Sequence, residues 1–164
     1  MIAIEIQNFE EKTLIISAYT PPSSKTGYIF LKEFLINYRN TTILADFNAT
    51  HTSWGCNFSN TKGKKLRENL DDHNFIILND NQPTFNKSQN VLDLAIVCCN
   101  LFEKTHNFEV LNNFKISDHW PIYFELKSCV NQNEKFKLDI NALSNHLDKI
   151  TFTEQKEITS IEEI

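Results

Sequence analysis

Ile2, Ile4 and Ile6 alternate with small or polar residues, which predicts a strand. A second run, Leu14-Ile15-Ile16-Ser17-Ala18-Tyr19, predicts another. It stops at Pro21-Pro22, because proline has no N–H to give to a ladder. From Tyr28 to Tyr38 the apolar residues Ile29, Phe30, Phe34, Leu35 and Tyr38 fall at helical spacing. Thr41 to Leu44 predicts a short strand running into Asp46-Phe47-Asn48, and a polar loop holding Trp54-Gly55 follows. Lys62 to His73 predicts a helix with Leu66 and Leu70 one turn apart. Phe75 to Leu78 predicts a strand and Pro83-Thr84-Phe85 a turn. Val91 to Val97 predicts a strand with Asp93 in its middle, and Phe108 to Leu111 a further one. Ser117-Asp118-His119 opens a last strand, Pro121 to Leu126. Beyond it, Asn141 to Ile150 has the pattern of one short helix, and from Thr151 the chain turns polar and acidic, as frayed ends do. Strands interleaved with helices, without an internal repeat, make an α/β or α+β layered domain.

Composition narrows the class. The 164 residues, 41% hydrophobic and 23% charged, supply one domain with a buried core. A net charge of -5 argues against wrapping nucleic acid by bulk charge, though not against touching it at one site. Only 3 glycines are present, and neither a GxGxxG nor a P-loop occurs. The cysteines, Cys56, Cys98, Cys99 and Cys129, form no CxxC, and adjacent cysteines rarely bridge each other. They are expected to be buried free thiols of a reducing compartment. The spacing of His51, Cys56 and Cys98-Cys99 fits no standard zinc pattern. The opening MIAIEIQNFEEK lacks a basic region followed by an unbroken apolar stretch, and no segment approaches the roughly 20 apolar residues of a membrane span. A soluble, intracellular protein is expected.

Four polar clusters at predicted strand ends carry candidate chemistry. Strand alternation would put Asp46 and Asn48 on one face and Phe47 on the other. A carboxylate can hold a hard cation or orient a water, and an amide can donate to a phosphoryl oxygen. The same residues also suit an Asx turn closing the strand. Asp93, in an otherwise apolar strand, is costly to bury unless paired, and a histidine is a natural partner. Otherwise it faces water on an edge strand. Asp118 beside His119 couples a carboxylate to a group that titrates near neutral pH, or simply forms a turn. If Asp93 hydrogen-bonds His119, it fixes the ring's tautomer. Tyr19 ends its strand either with its hydroxyl aimed into a site or as a packed rim residue.

In order along the chain, SAYTPPSS, ILADFNATHTSWGC, KGKKLRENLDDHNFIILND, QPTF, VLDLAIV and SDHWPI resemble the endonuclease/exonuclease/phosphatase superfamily. That superfamily includes DNase I-like nucleases and abasic-site endonucleases. The nearest resemblance is to the endonuclease domain of jockey-type non-LTR retrotransposons, where Asp-Phe-Asn is followed by a His-containing loop and Trp-Gly. His51 and Trp54-Gly55 stand at those places. The resemblance covers about residues 1–127 and implies a DNase I-like layered β-sandwich flanked by helices. Residues 128–164 resemble the linker that precedes a reverse transcriptase in such polyproteins. Ala45 stands where the family has Gly before Asp-Phe-Asn. The family's early Asn and metal-binding Glu precede the Tyr-x-Pro strand, and neither Glu5 nor Glu10-Glu11 lies in a matching motif. The chain is therefore expected to begin in mid-domain, with the N-terminal part of the sandwich missing.

The resemblance implies phosphodiester hydrolysis with Mg²⁺ or Mn²⁺ on DNA, in the nucleus. Asp46 would position or deprotonate the attacking water, and Asn48 would hold the phosphoryl group. His119, set by Asp93, would stabilise charge or act as base. Asp118 would bind or support a metal, and Tyr19 would contact phosphate. Lys62, Lys64, Lys65 and Arg67 are the candidate DNA-backbone contacts; a solvated helix face is their other reading. The competing function is a catalytically inactive remnant that binds nucleic acid or nothing.

Overall fold

A computed structural model describes residues 1–6, 12–24, 38–114 and 117–127, all within one compact unit, Met1–Asn131. The elements are β1 (Ile2–Ile6), β2 (Thr13–Tyr19), β3 (Asn40–Asp46), α1 (Thr61–Asp72), β4 (Phe75–Ile77), β5 (Asp93–Cys98), α2 (Cys99–Phe102), β6 (Thr105–Val110) and β7 (Ile122–Leu126). A 3₁₀ turn, Thr52–Trp54, lies between β3 and α1. Five strands form one mixed sheet in the order β1-β2-β3-β5-β4, and β6 and β7 form a second, antiparallel pair. Among the described strands only β2 and β3 run parallel.

Register decides what each face carries. Ile16 lies beside Ile43, and Ile43 beside Ile96. This row and its neighbours Leu14, Ala45 and Leu94 are buried in the core. Leu66 and Leu70 of α1 join them with Phe47 and the fully buried Trp54. Phe124 and Leu126 of β7 pack against the same core from the second sheet, which makes the domain layered. Side chains alternate along a strand, so the residues between these positions face the other way. Among them are Tyr19, Asp46 and Asp93.

Helix α1 starts where Asn60 caps it, its Oδ1 accepting the Gly63 N–H at 2.7 Å. Leu66 and Leu70 then anchor one face. In this glycine-poor chain the left-handed turns fall to asparagine: Asn48, Asn74, Asn81 and Asn107 all have positive φ. A short polar side chain tolerates that region best among non-glycine residues. Gly55, at φ +94°, closes the 3₁₀ turn.

Three boundaries differ from the sequence pattern. β5 begins at Asp93, so Val91 and Leu92 precede the strand and Asp93 opens it. β6 starts earlier, at Thr105, because it pairs with Leu126 of β7. Helix α2 was not expected; four residues are too few for a periodic signal. Of the predicted 28–38 helix only Tyr38 is described, and it packs on the core. The predicted 141–150 helix, the acidic end and Cys129 lie outside the described residues. Cys56 and Cys98 are buried free thiols, whereas Cys99 is exposed.

Candidate active site

Tyr19, Asp46 and Asp93 are register partners across β2, β3 and β5, so they form one row at the same end of the sheet. Asp46 and Asp93 are thus directly opposed carboxylates, an arrangement that costs stability unless cations or donors offset it. Asp46 receives such donors from the turn that follows. The Asn48 N–H donates to its Oδ1 at 2.8 Å, and Asn48 Nδ2 donates to its Oδ2 at 3.1 Å. These bonds are those of an Asx-type turn closing the strand, and they fix the geometry of the Asp46 carboxylate. The pleat does not continue through it: Asn48 sits at φ 46° while Phe47 turns into the core. Asn48 Nδ2 also donates to the Thr20 carbonyl at 3.0 Å. Both amide hydrogens are engaged, so holding a phosphoryl oxygen requires one of those bonds to yield.

His119 Nδ1 lies 2.8 Å from Asp93 Oδ2. The His119 side chain is 35% exposed and that of Asp93 19%, so the pair sits at a cleft wall rather than in bulk water. Asp93 can take the Nδ1–H and leave Nε2 to act. Phe85 supports the ring from behind, with centroids 4.8 Å apart. The cleft, about 440 Å³, is lined by Ser17, Leu44, Asp46, Asp93, His119 and Trp120 among others.

Among the described residues, the metal-capable group of His, Cys and acidic side chains is Asp46, Asp93 and His119, whose ligand atoms lie within 4.8 Å of one another. Two carboxylates and an imidazole suit a hard or borderline divalent cation. His51, Cys56, Cys98 and Cys99 do not gather into such a group. Asp118 does not join it either. Its carboxylate is exposed and pairs with Lys87, whose hydrogen bond holds it below the usual carboxylate range. Glu5 pairs with Lys12 and lies beside Leu14, on the face opposite Asp46, so it does not complete the group.

The four basic candidates separate. Lys62 is partly buried, donates from Nζ to the Pro21 carbonyl at 3.0 Å and is close enough to Asp46 for each charge to act on the other. Lys64 and Lys65 are exposed on α1. Arg67 is engaged with Asp71, its Nε donating at 2.9 Å, so its charge is locally balanced. Tyr19 is 62% exposed at the end of the carboxylate row.

Burial pushes the Asp46 carboxyl above its ordinary range; the Asn48 N–H opposes this and the Asp93 charge adds to it. The fold therefore binds that proton more tightly than the unfolded chain does. Stability is unpenalised below the unfolded value and falls as pH rises through the folded one. Asp46→Asn removes the charge penalty and keeps an acceptor for the Asn48 N–H, while giving up the weaker bond from Asn48 Nδ2, which keeps its partner in the Thr20 carbonyl. We expect it to melt roughly 2–4 °C higher at pH 7, for about 0.5–1 kcal/mol. The gain should vanish below pH ~4. Thermal melts across pH check this, and a pH-independent difference contradicts it.

Two antiparallel-rich sheets stacked in layers, with a carboxylate row and a carboxylate–imidazole pair at their strand ends, define a DNase I-like α+β domain. The chain belongs to the endonuclease–reverse transcriptase family, whose family model matches residues 13–123, more than half of the chain. Two solved structures share the fold. The endonuclease domain of TRAS1, a telomere-specific non-LTR retrotransposon, superposes with a TM-score of 0.67 at 20% identity, over 77% of this chain and 61% of that one. The 3'-5' exonuclease NExo from Neisseria meningitidis superposes with a TM-score of 0.57 at 13% identity, over 76% of this chain and 64% of that one. This chain thus spans less than two thirds of either structure. No curated protein matches the sequence. Among the described residues no helix is long and apolar enough to cross a membrane.

Proposed function

We propose that the chain hydrolyses phosphodiester bonds of DNA with a divalent cation, as an endonuclease of retroelement origin. The observation that carries this is the convergence of Asp46, Asp93 and His119 in one cleft from three distant parts of the chain. Family membership and the fold support it. Asp46 and Asp93 would hold Mg²⁺ or Mn²⁺, with His119 at the edge of the group. When bound, the cation neutralises phosphoryl charge and lowers the pKa of water.

The chain's own residues do the rest. Asp93 holds His119 with Nδ1 protonated, leaving Nε2 in the cleft to hold or take up a proton. Asp46, its geometry set by two bonds from Asn48, orients the attacking water. The water oxygen bonds to phosphorus as the bond from phosphorus to the leaving oxygen breaks; Nε2 of His119 takes the proton that the water gives up, and the leaving oxygen takes a proton from solvent. Lys62, beside Asp46, supplies positive charge for the phosphate. Tyr19 and the exposed Lys64 and Lys65 extend that contact along the strand backbone. Asp118 supports the loop of His119 through Lys87.

Supercoiled plasmid is the test. Relaxed circles should form with Mg²⁺ and not with EDTA, and rising salt should slow binding through the lysines. A chain shown to be folded that leaves the plasmid supercoiled in Mg²⁺ and Mn²⁺ sinks the reading. That outcome leaves the inactive-remnant reading in its place.

A further inference from the structure

Thr84 stands in the Pro-Thr-Phe turn, is fully buried, and is absent from every role assigned above. Its Oγ1 accepts two backbone hydrogen bonds, from Leu92 N–H at 2.9 Å and Asp93 N–H at 3.0 Å. A hydroxyl oxygen has two lone pairs, and both are used here. Its carbonyl accepts the Trp120 N–H at 2.7 Å. Phe85, the next residue, pairs with His119 as an isolated antiparallel bridge and packs its ring against the imidazole at a 49° tilt. Asn86 N–H then donates to the Asp118 carbonyl at 2.8 Å. Asn79 also braces this strand, donating to the Asp93 carbonyl at 3.0 Å and accepting the Ala95 N–H at 2.9 Å. The bonds of Asn79 reach only the β5 side.

We propose that Thr84 is the positioning residue that fixes Asp93 against His119. The inference rests on the nuclease reading only for its activity arm. Asp93 and His119 are 26 residues apart, and Asp93 opens β5, where ladder support on one side is missing. The Thr84 side chain holds one partner's backbone and its main chain holds the segment of the other. One residue therefore sets the distance between them. Methyl packing alone would leave the part-buried Leu92 and Asp93 N–H groups without the acceptor they have here. Groups that orient an active-site ligand in this way typically change activity ~10–100-fold when lost.

The experiment compares Thr84→Val, which keeps shape and removes the acceptor, with Thr84→Ser, which keeps the acceptor. Plasmid nicking should fall ~10–100-fold in T84V, in the rate at saturating DNA rather than in DNA affinity, and T84S should restore most of it. The two-bond ¹H–¹⁵N imidazole spectrum of His119 should show hydrogen on Nδ1 in wild type and T84S, and a tautomer mixture in T84V. A T84V protein with wild-type rate and spectrum overturns the proposal, as does a T84S protein that loses both. If wild type never nicks, the nuclease reading fails and the spectra still decide the positioning role. If T84V does not fold, amide exchange in wild type decides: slow exchange at Leu92 and Asp93 supports the clamp, and free exchange overturns it.

Discussion

His119→Ala is expected to cut plasmid nicking by roughly 10²–10⁴-fold, the usual contribution of a positioned proton-transfer group. The fold should survive, because the ring is partly exposed and packs mainly on Phe85. DNA affinity should change little, because the basic contacts lie on α1. Asp93→Asn should lose nearly as much. An amide can donate to Nδ1 and stabilise the wrong tautomer, leaving hydrogen on Nε2. The decisive measurement is the double variant. Groups that act as one unit do not add, so His119→Ala with Asp93→Asn should be no slower than the worse single variant. Additive losses would show that Asp93 acts mainly as a cation ligand, independently of the ring.

How much of this was legible beforehand depends on sequence distance. Local chemistry was readable: Asp46-Phe47-Asn48 had to end a strand, and the Asx bonds within it span two residues. The pairing of Asp93 with a histidine followed from the cost of a lone buried carboxylate. The row Tyr19-Asp46-Asp93 was not readable. It depends on the register of a parallel pair and an antiparallel pair, and each is fixed by packing across the sheet rather than by neighbours in the chain. Thr84 was hidden for the same reason: as a turn residue it looks ordinary, and its acceptors serve residues eight and nine positions on. Asp71 stands four residues after Arg67, the helical spacing of an ion pair, so that pairing was readable along the chain. The pairing of Lys87 with Asp118 was not, because the two lie far apart in sequence.

Gly63→Ala should destabilise the domain by roughly 3 kcal/mol, lowering Tm by roughly 6–12 °C. The sign is what matters. Inside an ordinary helix the same change stabilises by roughly 0.5–1 kcal/mol, because alanine loses less backbone entropy on folding. Here a Cβ would sit 1.9 Å from the Thr50 carbonyl oxygen and 2.6 Å from its carbon. Backbone cannot rotate aside as a side chain can, so the first turn of α1 and the 50–60 loop must separate. That loop is tied at both ends of the contact. The Asn60 N–H donates to the Thr50 carbonyl at 2.9 Å, and the Thr50 N–H donates to Asn60 Oδ1 at 3.3 Å. Displacing it strains the cap that starts the helix. It also moves the chain two residues after Asn48, whose bonds shape the Asp46 carboxylate. Stability and nicking should therefore fall together, with nicking reduced even at temperatures where the variant is fully folded. Thermal melts and nicking at 10 °C separate the two effects. A variant that melts at or above the wild-type temperature would mean the helix and loop do not meet as closely as the geometry requires.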